Sequence, residues 1–418
     1  MRVIIAGGGI GGLVLALSLH EVGCDVHVFE AVNALKPLGV GINVLPHAVR
    51  ELVELGLGPA LEQQGILTAE LAYFSKHGKL IWSEPRGREA GYTWPQISIH
   101  RGRLQLLLLE TVYARLGRER VHLGHAFSRF TQTDAGVCAY FVDAKGAPRA
   151  QAEGDVLIGA DGIHSRVRAQ LHPHEGAPRW NGTLLWRGVS VRPPFLSGRS
   201  MIMAGHETQK FVAYPIGDAG DGLRLTNWIA ELRFAPGELR EREEWNAEGE
   251  REDFLPRFAD WRFDWLDVPR LVNESERIYV YPLVDRDPLS HWGEGRVTLL
   301  GDAAHPMFPV GSNGASQAVL DARVLTSCLR HADDLSSALA TYEGVRRPST
   351  AALTLANRKQ GPEECMTLVE SRAPEGFDAI EKVITHDELV AISGKYKRLA
   401  GFSVDELNQR PSLAAIRY

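Results

Sequence analysis

The chain has 418 residues, 44% hydrophobic and 23% charged, and its 46 Lys and Arg against 52 Asp and Glu leave a formal net charge of −6. Single cores stop growing near ~250–300 residues, so two domains or one domain with a large insertion are expected, and the acidic balance excludes general affinity for nucleic acid or anionic membrane. Four scattered cysteines, Cys24, Cys138, Cys328 and Cys365, make neither a metal knuckle nor a disulfide framework, which points to no metal and to a reducing, cytoplasmic setting.

Arg2-Val3-Ile4-Ile5-Ala6 is too short for a signal-peptide core and reads as a buried parallel strand. It runs into Gly7-Gly8-Gly9-Ile10-Gly11-Gly12 and then into the apolar helix Leu13 to Leu19, followed by the strand Asp25-Val26-His27-Val28-Phe29 closed by Glu30. In this register Gly7 permits the tight turn, Gly9 lets a pyrophosphate approach the backbone, and Gly12 allows helix and strand to pack closely. The helix start at Ile10 and Gly11 faces the phosphates, and Glu30, 18 positions after Gly12, accepts from ribose hydroxyls. The motif alone leaves NAD and FAD open.

Asp155 to Gly159 repeats the strand-and-turn pattern, and Asp161-Gly162 leads into Ser165-Arg166-Val167, where Asp161 by itself reads as a helix cap. From 176 to 282 the pattern changes to alternating runs, among them Thr183 to Ser190, Lys210 to Tyr214 and Arg224 to Ile229, which read as an antiparallel sheet half covered by core. Residues 236–265, with Glu241, Glu243, Glu244 and several Trp, read as helical and solvated on one face. Arg296 to Leu300 is another apolar strand, followed by Gly301-Asp302, a loop through Pro309 and Gly311, and Asn313-Gly314-Ala315 opening a helix. A carboxylate at that strand end suits a chain of sugar hydroxyls, and the helix start suits a ring edge that turns negative on reduction; a capped helix with no ligand is the alternative there. No stretch of ~20 apolar residues occurs that would span a membrane.

Taken together, Gly7 to Gly12, Asp161-Gly162 and Gly301-Asp302 resemble, in order and spacing, the three fingerprints of the single-component FAD-dependent aromatic hydroxylases, the para-hydroxybenzoate hydroxylase-like flavoprotein monooxygenases. Supporting matches are Ile99 to Gln105 and the Tyr342-Glu343 and Arg346-Arg347-Pro348 pairs. Within the family the likeness is nearest to hydroxylases of phenazine carboxylates, through Pro37 to Asn43, Trp82 to Gly87, Trp186 to Val189 and Tyr281 to Gly293. It fades after about residue 350, and the tail from Gln360 matches nothing of use.

The resemblance implies an α/β fold: a Rossmann-like FAD domain over 1–75, 98–175 and 283–358, an interleaved antiparallel-sheet substrate domain over 76–97 and 176–282, and a C-terminal helical tail over 359–418. It implies cofactor contacts at Gly7, Gly9, Ile10, Gly11, Gly12, Glu30, Val40, Arg101, His125, Asp161, Gly301, Asp302, Pro309, Gly311, Asn313, Gly314 and Ala315. Where many members have Gln-Gly this chain has Ser312-Asn313, which brings an Asn side chain to the flavin edge, and His125 replaces an often apolar residue used through its backbone. The implied activity is reduction of FAD by NADPH or NADH, addition of O2 as a C4a-hydroperoxide, and oxygen transfer to an electron-rich aromatic or N-heteroaromatic ring, phenazine- or quinoline-like. With a single dinucleotide fingerprint in the chain, the resemblance implies that the nicotinamide binds transiently, without a domain of its own.

Planar aromatics and a cation suit such a substrate, which makes Trp186, Arg187, Tyr214, Trp228 and Tyr281 the candidate pocket residues, with core packing as each aromatic's alternative. Met201 and Met203 read as packing, and His164, His206 and His305 as structural residues or proton shuttles, with no catalytic residue singled out. A halogenase or isoprenoid-chain reductase of the same superfamily, or a non-catalytic flavin protein, are the rivals; the halogenase WxWxIP segment is not matched by Trp261 to Trp265. The chain is expected to act as a monomer or homodimer.

Overall fold

Burial on both faces is what a continuous apolar strand demands, and Val3, Ile4, Ile5 and Ala6 of the strand Arg2–Ala6 are fully buried. The computed structural model describes residues 1–37, 39–235 and 247–418. In it five parallel strands lie in the order Val297–Leu299, Val156–Gly159, Arg2–Ala6, Asp25–Glu30, Val121–Leu123. From Arg2–Ala6 the chain first moves to one side and later returns to the other, so that strand is the switch point of the sheet, where a crevice opens beyond the carboxyl ends. The three glycine-bearing turns after Ala6, Gly159 and Leu299 thus end three neighbouring strands.

The helix Ile10–Glu21 is apolar nearly all round because it is buried all round, from Leu13 to Leu19. It crosses the long helix Gly314–His331 so closely that a Cβ on Gly11 would lie 3.2 Å from that of Ala318 and 2.6 Å from Leu300 Cδ2.

The second sheet has eight strands in the order Ala247–Glu248, Ile278–Asp285, Arg179–Arg192, Leu223–Arg233, Gln209–Gly220, Ser200–His206, Glu70–Phe74, Leu80–Pro85. All its pairings are antiparallel except that of Ser200–His206 with Glu70–Phe74. The sheet therefore takes in chain ahead of residue 76, because Leu71, Ala72, Tyr73 and Phe74 find buried sites on it. Gln96–His100 instead joins a small sheet with Gly41–Val44 and Ile66–Thr68.

Neither face of the large sheet is left to solvent, contrary to the half-covered sheet read from the sequence. Trp186, Phe211, Trp228, Phe254 and Phe258 fill one side; Leu185, Met201, Met203 and Tyr214 fill the other, where Cys365, Met366 and Val369 of the tail close over them. The tail carries the helices Glu364–Arg372, His386–Leu399 and Val404–Gln409. The helix read over 236–265 lies partly outside the described residues, at 236–246. Beyond them the chain forms the short turns Arg251–Asp253 and Leu255–Phe258 and a two-residue strand pair, since Pro256 breaks the run and Phe254, Phe258 and Trp261 plug the core.

Candidate cofactor and substrate site

At the first turn two glycines are required by packing and one by open space. Gly7 has φ +115° and a Cβ there would lie 2.2 Å from Ala160 O; a Cβ on Gly12 would lie 2.1 Å from Gly7 O; one on Gly9 would meet nothing within 4 Å. The helical hydrogen bonds begin with Leu13 N–H to Gly9 O at 3.0 Å, and Gly9 brings no side chain to cap the earlier N–H groups of Ile10, Gly11 and Gly12. An open, uncapped helix start is an anion site. Glu30 stands beside it, accepting from Gly8 N–H at 2.7 Å and Val32 N–H at 3.0 Å, which aims its carboxylate and leaves lone pairs for a ribose. Gln105, quoted in the sequence only as part of a matching stretch, donates to Gly8 O at 2.8 Å and is a residue the site list lacked. His125 N–H donates to Glu30 O at 2.8 Å, while its ring turns to Leu123 O and the edges of Phe29 and Phe141.

Asp161 spends its oxygens on the Ser165 hydroxyl and on the N–H groups of Arg166, at 2.8 Å, and Val167. The carboxylate is a helix cap, and what it brings against Gly7 is its backbone, whose nitrogen is 2.9 Å from a Cβ there.

Asp302 differs. It follows the strand Val297–Leu299, makes no hydrogen bond among the described residues, and lines a cavity: solvent reaches it although protein surrounds it. That surrounding pushes its carboxyl above the usual range, with His305 and Arg101 pulling the other way. Arg101 is exposed at the start of the helix Arg101–Leu116, its N–H held by Val40 O at 3.0 Å.

Below Asp302 lies a buried network. Asp321 accepts from Gly301 N–H at 3.0 Å, from His305 and from Arg346 at 2.7 Å. Burial alone would push its carboxyl up, but His305 and Arg346 overcome it and hold it at about 2. The loop above passes through Gly311 and Ser312, both left-handed at φ +65° and +58°. The side chain of Asn313 turns away from the cavity: it is fully buried and donates to Gly311 O and the Tyr396 hydroxyl, at 3.2 and 3.1 Å. A buried amide takes the partners that satisfy it, and here the tail supplies one.

The cavity, of about 230 Å³, joins this loop to the large sheet; Asp302, Pro309, Gly314 and Ala315 form one side, and Arg187, Tyr214, Met201, Met203, Val212 and Ile229 the other. Neighbours on a strand point to opposite faces. Arg187 faces the cavity, so Trp186 does not; it stacks on Phe254 at 5.1 Å in the core behind the sheet. Trp228 is likewise fully buried there, donating to Ser275 Oγ at 2.6 Å. Both tryptophans are removed from the candidate pocket, and Met201 and Met203, read as packing, enter it. Tyr281 shares the Arg187 face, in register with Leu185, but does not line the cavity. His164 is exposed, His206 lies on a second crevice and His305 is locked on Asp321, so none of the three reaches the cavity. The sequence reading missed a buried ion cluster on the cavity wall, Lys210 with Glu231 and Glu363.

An uncapped helix start behind a glycine turn, with an acid at the next strand end, a second carboxylate free in a crevice and a cavity beyond it, defines a dinucleotide flavoprotein with an enclosed substrate site. The pattern of the family described as FAD binding domain matches residues 1–356, and the chain belongs to that family, as an FAD-dependent aromatic hydroxylase of the para-hydroxybenzoate hydroxylase type. It is 46% identical over 367 residues to phenazine 1,6-dicarboxylic acid hydroxylase PhzS of Lysobacter antibioticus, covering 87% of this chain and 90% of that one. It is 34% identical over 357 residues to aurachin C monooxygenase/isomerase of Stigmatella aurantiaca, 83% of this chain and 85% of that one. Among solved structures, a salicylate hydroxylase substrate complex shares the fold at TM-score 0.74 and 23% identity, covering 99% of each chain. HpxO of Klebsiella pneumoniae complexed with FAD and uric acid does so at 0.71 and 24%, over 98% of this chain and 95% of that one. No helix among the described residues is long and apolar enough to cross a membrane.

Proposed function

We propose that this FAD-dependent monooxygenase hydroxylates a carboxylated N-heteroaromatic, phenazine- or quinoline-like, with NADPH or NADH as donor. The observation that carries the substrate class is Arg187. It lines the cavity, donates through Nη2 to Gly41 O at 2.8 Å, and keeps its buried Nε–H without a partner among the described residues. An unpaired buried donor is costly, and a carboxylate satisfies it best. The likeness to a hydroxylase named for a phenazine dicarboxylic acid supports the same class.

In this reading the Ile10 to Gly12 N–H groups and Glu30 hold the nucleotide end of FAD, and Asp302 accepts from its ribityl hydroxyls. The backbone of Gly314 and Ala315 faces the ring. Bound there, FAD supplies reduction by the nicotinamide and activation of O2. The chain's own part is orientation: Tyr214 also donates to Gly41 O, at 2.8 Å, and Asn227 Oδ1 accepts from Gly41 N–H at 2.7 Å, so the strand Gly41–Val44 is clamped against the sheet. Met201, Met203, Val212 and Ile229 give the cavity an apolar wall for a planar ring. The cofactor domain over 1–75, 98–175 and 283–358 and the substrate domain over 76–97 and 176–282 remain the division we favour, with Glu70–Phe74 transferred to the latter. Four unpaired cysteines agree with a cytoplasmic enzyme, acting as monomer or homodimer.

The test is NADPH oxidation in air with a panel of phenols, hydroxyquinolines and phenazine carboxylates, with products read by mass. Acceleration and oxygenated product with a carboxylated heteroaromatic are expected; acceleration by none sinks the reading. Arg187→Ala should raise KM for the carboxylated substrate about tenfold or more and leave uncarboxylated analogues nearly unchanged. An unchanged KM removes Arg187 from recognition.

A further inference from the structure

We propose that the Lys210–Glu363 ion pair is the end wall of the substrate cavity and sets how long a substrate the enzyme accepts. The proposal rests on the aromatic-hydroxylase reading and adds a length limit to it. Lys210, on Gln209–Gly220, lies opposite Glu231 of Leu223–Arg233 in the sheet register, with Nζ 2.9 Å from Glu231 Oε2, and is also ion-paired with Glu363. Glu363 belongs to the tail, past the family-matched residues 1–356. The turn Gly361–Glu363 that carries it is entered through two left-handed residues, Gln360 and Gly361 at φ +66° and +50°. Such a turn is held by its surroundings, and Glu363 is only 5% exposed.

Two cavities meet at this cluster. One is the cavity beside Asp302; the other, about 250 Å³, is lined by Thr183, His206, Phe308 and Asn357. Both are bounded by Lys210, Glu231, Leu283, Val310 and Glu363, so these side chains stand between them. At about 230 and 250 Å³ each cavity falls short of the ~300–1,000 Å³ usual for ligand sites, and joined they fall within it. Lys210 stays charged in spite of burial because the two glutamates raise its pKa, and Glu231 alone would keep it paired, so what position 363 gives the wall is length. A planar substrate that fills the inner cavity meets it end-on.

The test uses the FAD-loaded full chain and a graded panel: a one-ring hydroxybenzoate, a two-ring hydroxyquinoline carboxylate, a phenazine carboxylate, and a phenazine carboxylate extended at its far ring. Binding is read by quenching of tryptophan fluorescence, separately from hydroxylated product. Glu363→Ala, or Glu363→Ser should the first fail to fold, is expected to tighten the extended phenazine at least tenfold. Glu363→Gln, which keeps the wall's length, should retain the wild-type order. The same order of affinities in the Ala or Ser variant and the wild type overturns the proposal, as does a Gln variant that relaxes like Ala, since charge rather than length would then decide. Ligands that bind the wild type but are never hydroxylated count against the hydroxylase reading, and the length limit is then judged from binding alone.

Discussion

At the Gly7 to Gly12 turn the decisive contacts are backbone on backbone, Gly12 against Gly7 and Gly7 against Ala160, whereas the walls of the cavity are side chains from the large sheet, the Pro309 to Ala315 loop and the tail, from Arg187 to Glu363. The first kind of site has one solution, because nothing smaller than glycine exists. The second has many, because a wall can be rebuilt from different side chains on the same frame. A fold of this type can therefore hold one cofactor and change its substrate, with the variation placed where packing tolerates it.

If that contrast is right, the largest effect of any single change falls at the turn. Gly12→Val places a branched side chain on a Cβ that would lie 2.1 Å from Gly7 O, a backbone atom that cannot give way. No folded, flavin-loaded protein is expected on purification. Gly9→Ala meets nothing within 4 Å and should fold with nearly unchanged Tm while losing FAD, because its methyl occupies the space a pyrophosphate needs. Equal Tm losses in both variants would erase the distinction between packing glycine and ligand glycine. Next in size is Asp302→Ala, which removes the unpartnered carboxylate of the crevice and should weaken FAD by roughly tenfold to a hundredfold, the worth of one or two hydrogen bonds to a charged group. Flavin occupancy that survives dialysis as in the wild type would contradict that role.

The same contrast explains what could be read from the chain alone. The strand, glycine turn, helix and acid at residues 2–30 were legible because a short-range pattern fixes short-range geometry, and the Gly301-Asp302 strand end was legible for the same reason. The pocket was read less well. Trp186 and Arg187 are adjacent on one strand, and that adjacency already meant that at most one of them faces a ligand on one side of the sheet. Which face that is depended on the tail, whose Cys365, Met366 and Glu363 carry no motif and cover a sheet more than a hundred residues earlier. The direction in which the Asn313 side chain turns was hidden in the same way, since its partner Tyr396 stands 83 positions away.

The tail itself supplies two smaller tests. His47 is buried with neither ring nitrogen hydrogen-bonded and stacks on Phe402 of the tail, ring centroids 5.0 Å apart. Burial, with Arg410 and Arg346 adding to it, holds its pKa at about 3. An unfolded His titrates near ~6.5, so below that pH the unfolded chain takes a proton the native state refuses. Stability is unaffected above about pH 6.5 and falls as pH drops from there towards 3, by about 2–3 kcal/mol at pH 4.5. Urea midpoints at pH 7 and 4.5 should lie closer together in His47→Leu than in the wild type; equal losses would remove His47 as the cause.

The smallest effect, and the one that most directly asks whether the tail belongs to the site, is expected from Tyr396→Phe. The Tyr396 hydroxyl has two acceptors in reach of its one proton, Val310 O and Asn357 Oδ1, both at 2.9 Å, and accepts from Asn313 Nδ2, while its ring lies where a Cβ on Gly311 would be, 2.3 Å from the hydroxyl oxygen. Removing the hydroxyl leaves buried groups unpaired, about 1–3 kcal/mol, but the loop it releases is the one that presents Gly314 and Ala315 to the cavity. Tyr92→Phe is the control, because the Tyr92 hydroxyl binds Phe402 O at 2.6 Å and anchors the tail away from that loop. FAD affinity, read by flavin fluorescence on dilution, should fall several-fold in Tyr396→Phe and hold in Tyr92→Phe at comparable Tm. If both variants lose stability and neither loses flavin, the tail braces only the substrate side of the site, and the cofactor half is as self-contained as its glycines make it look.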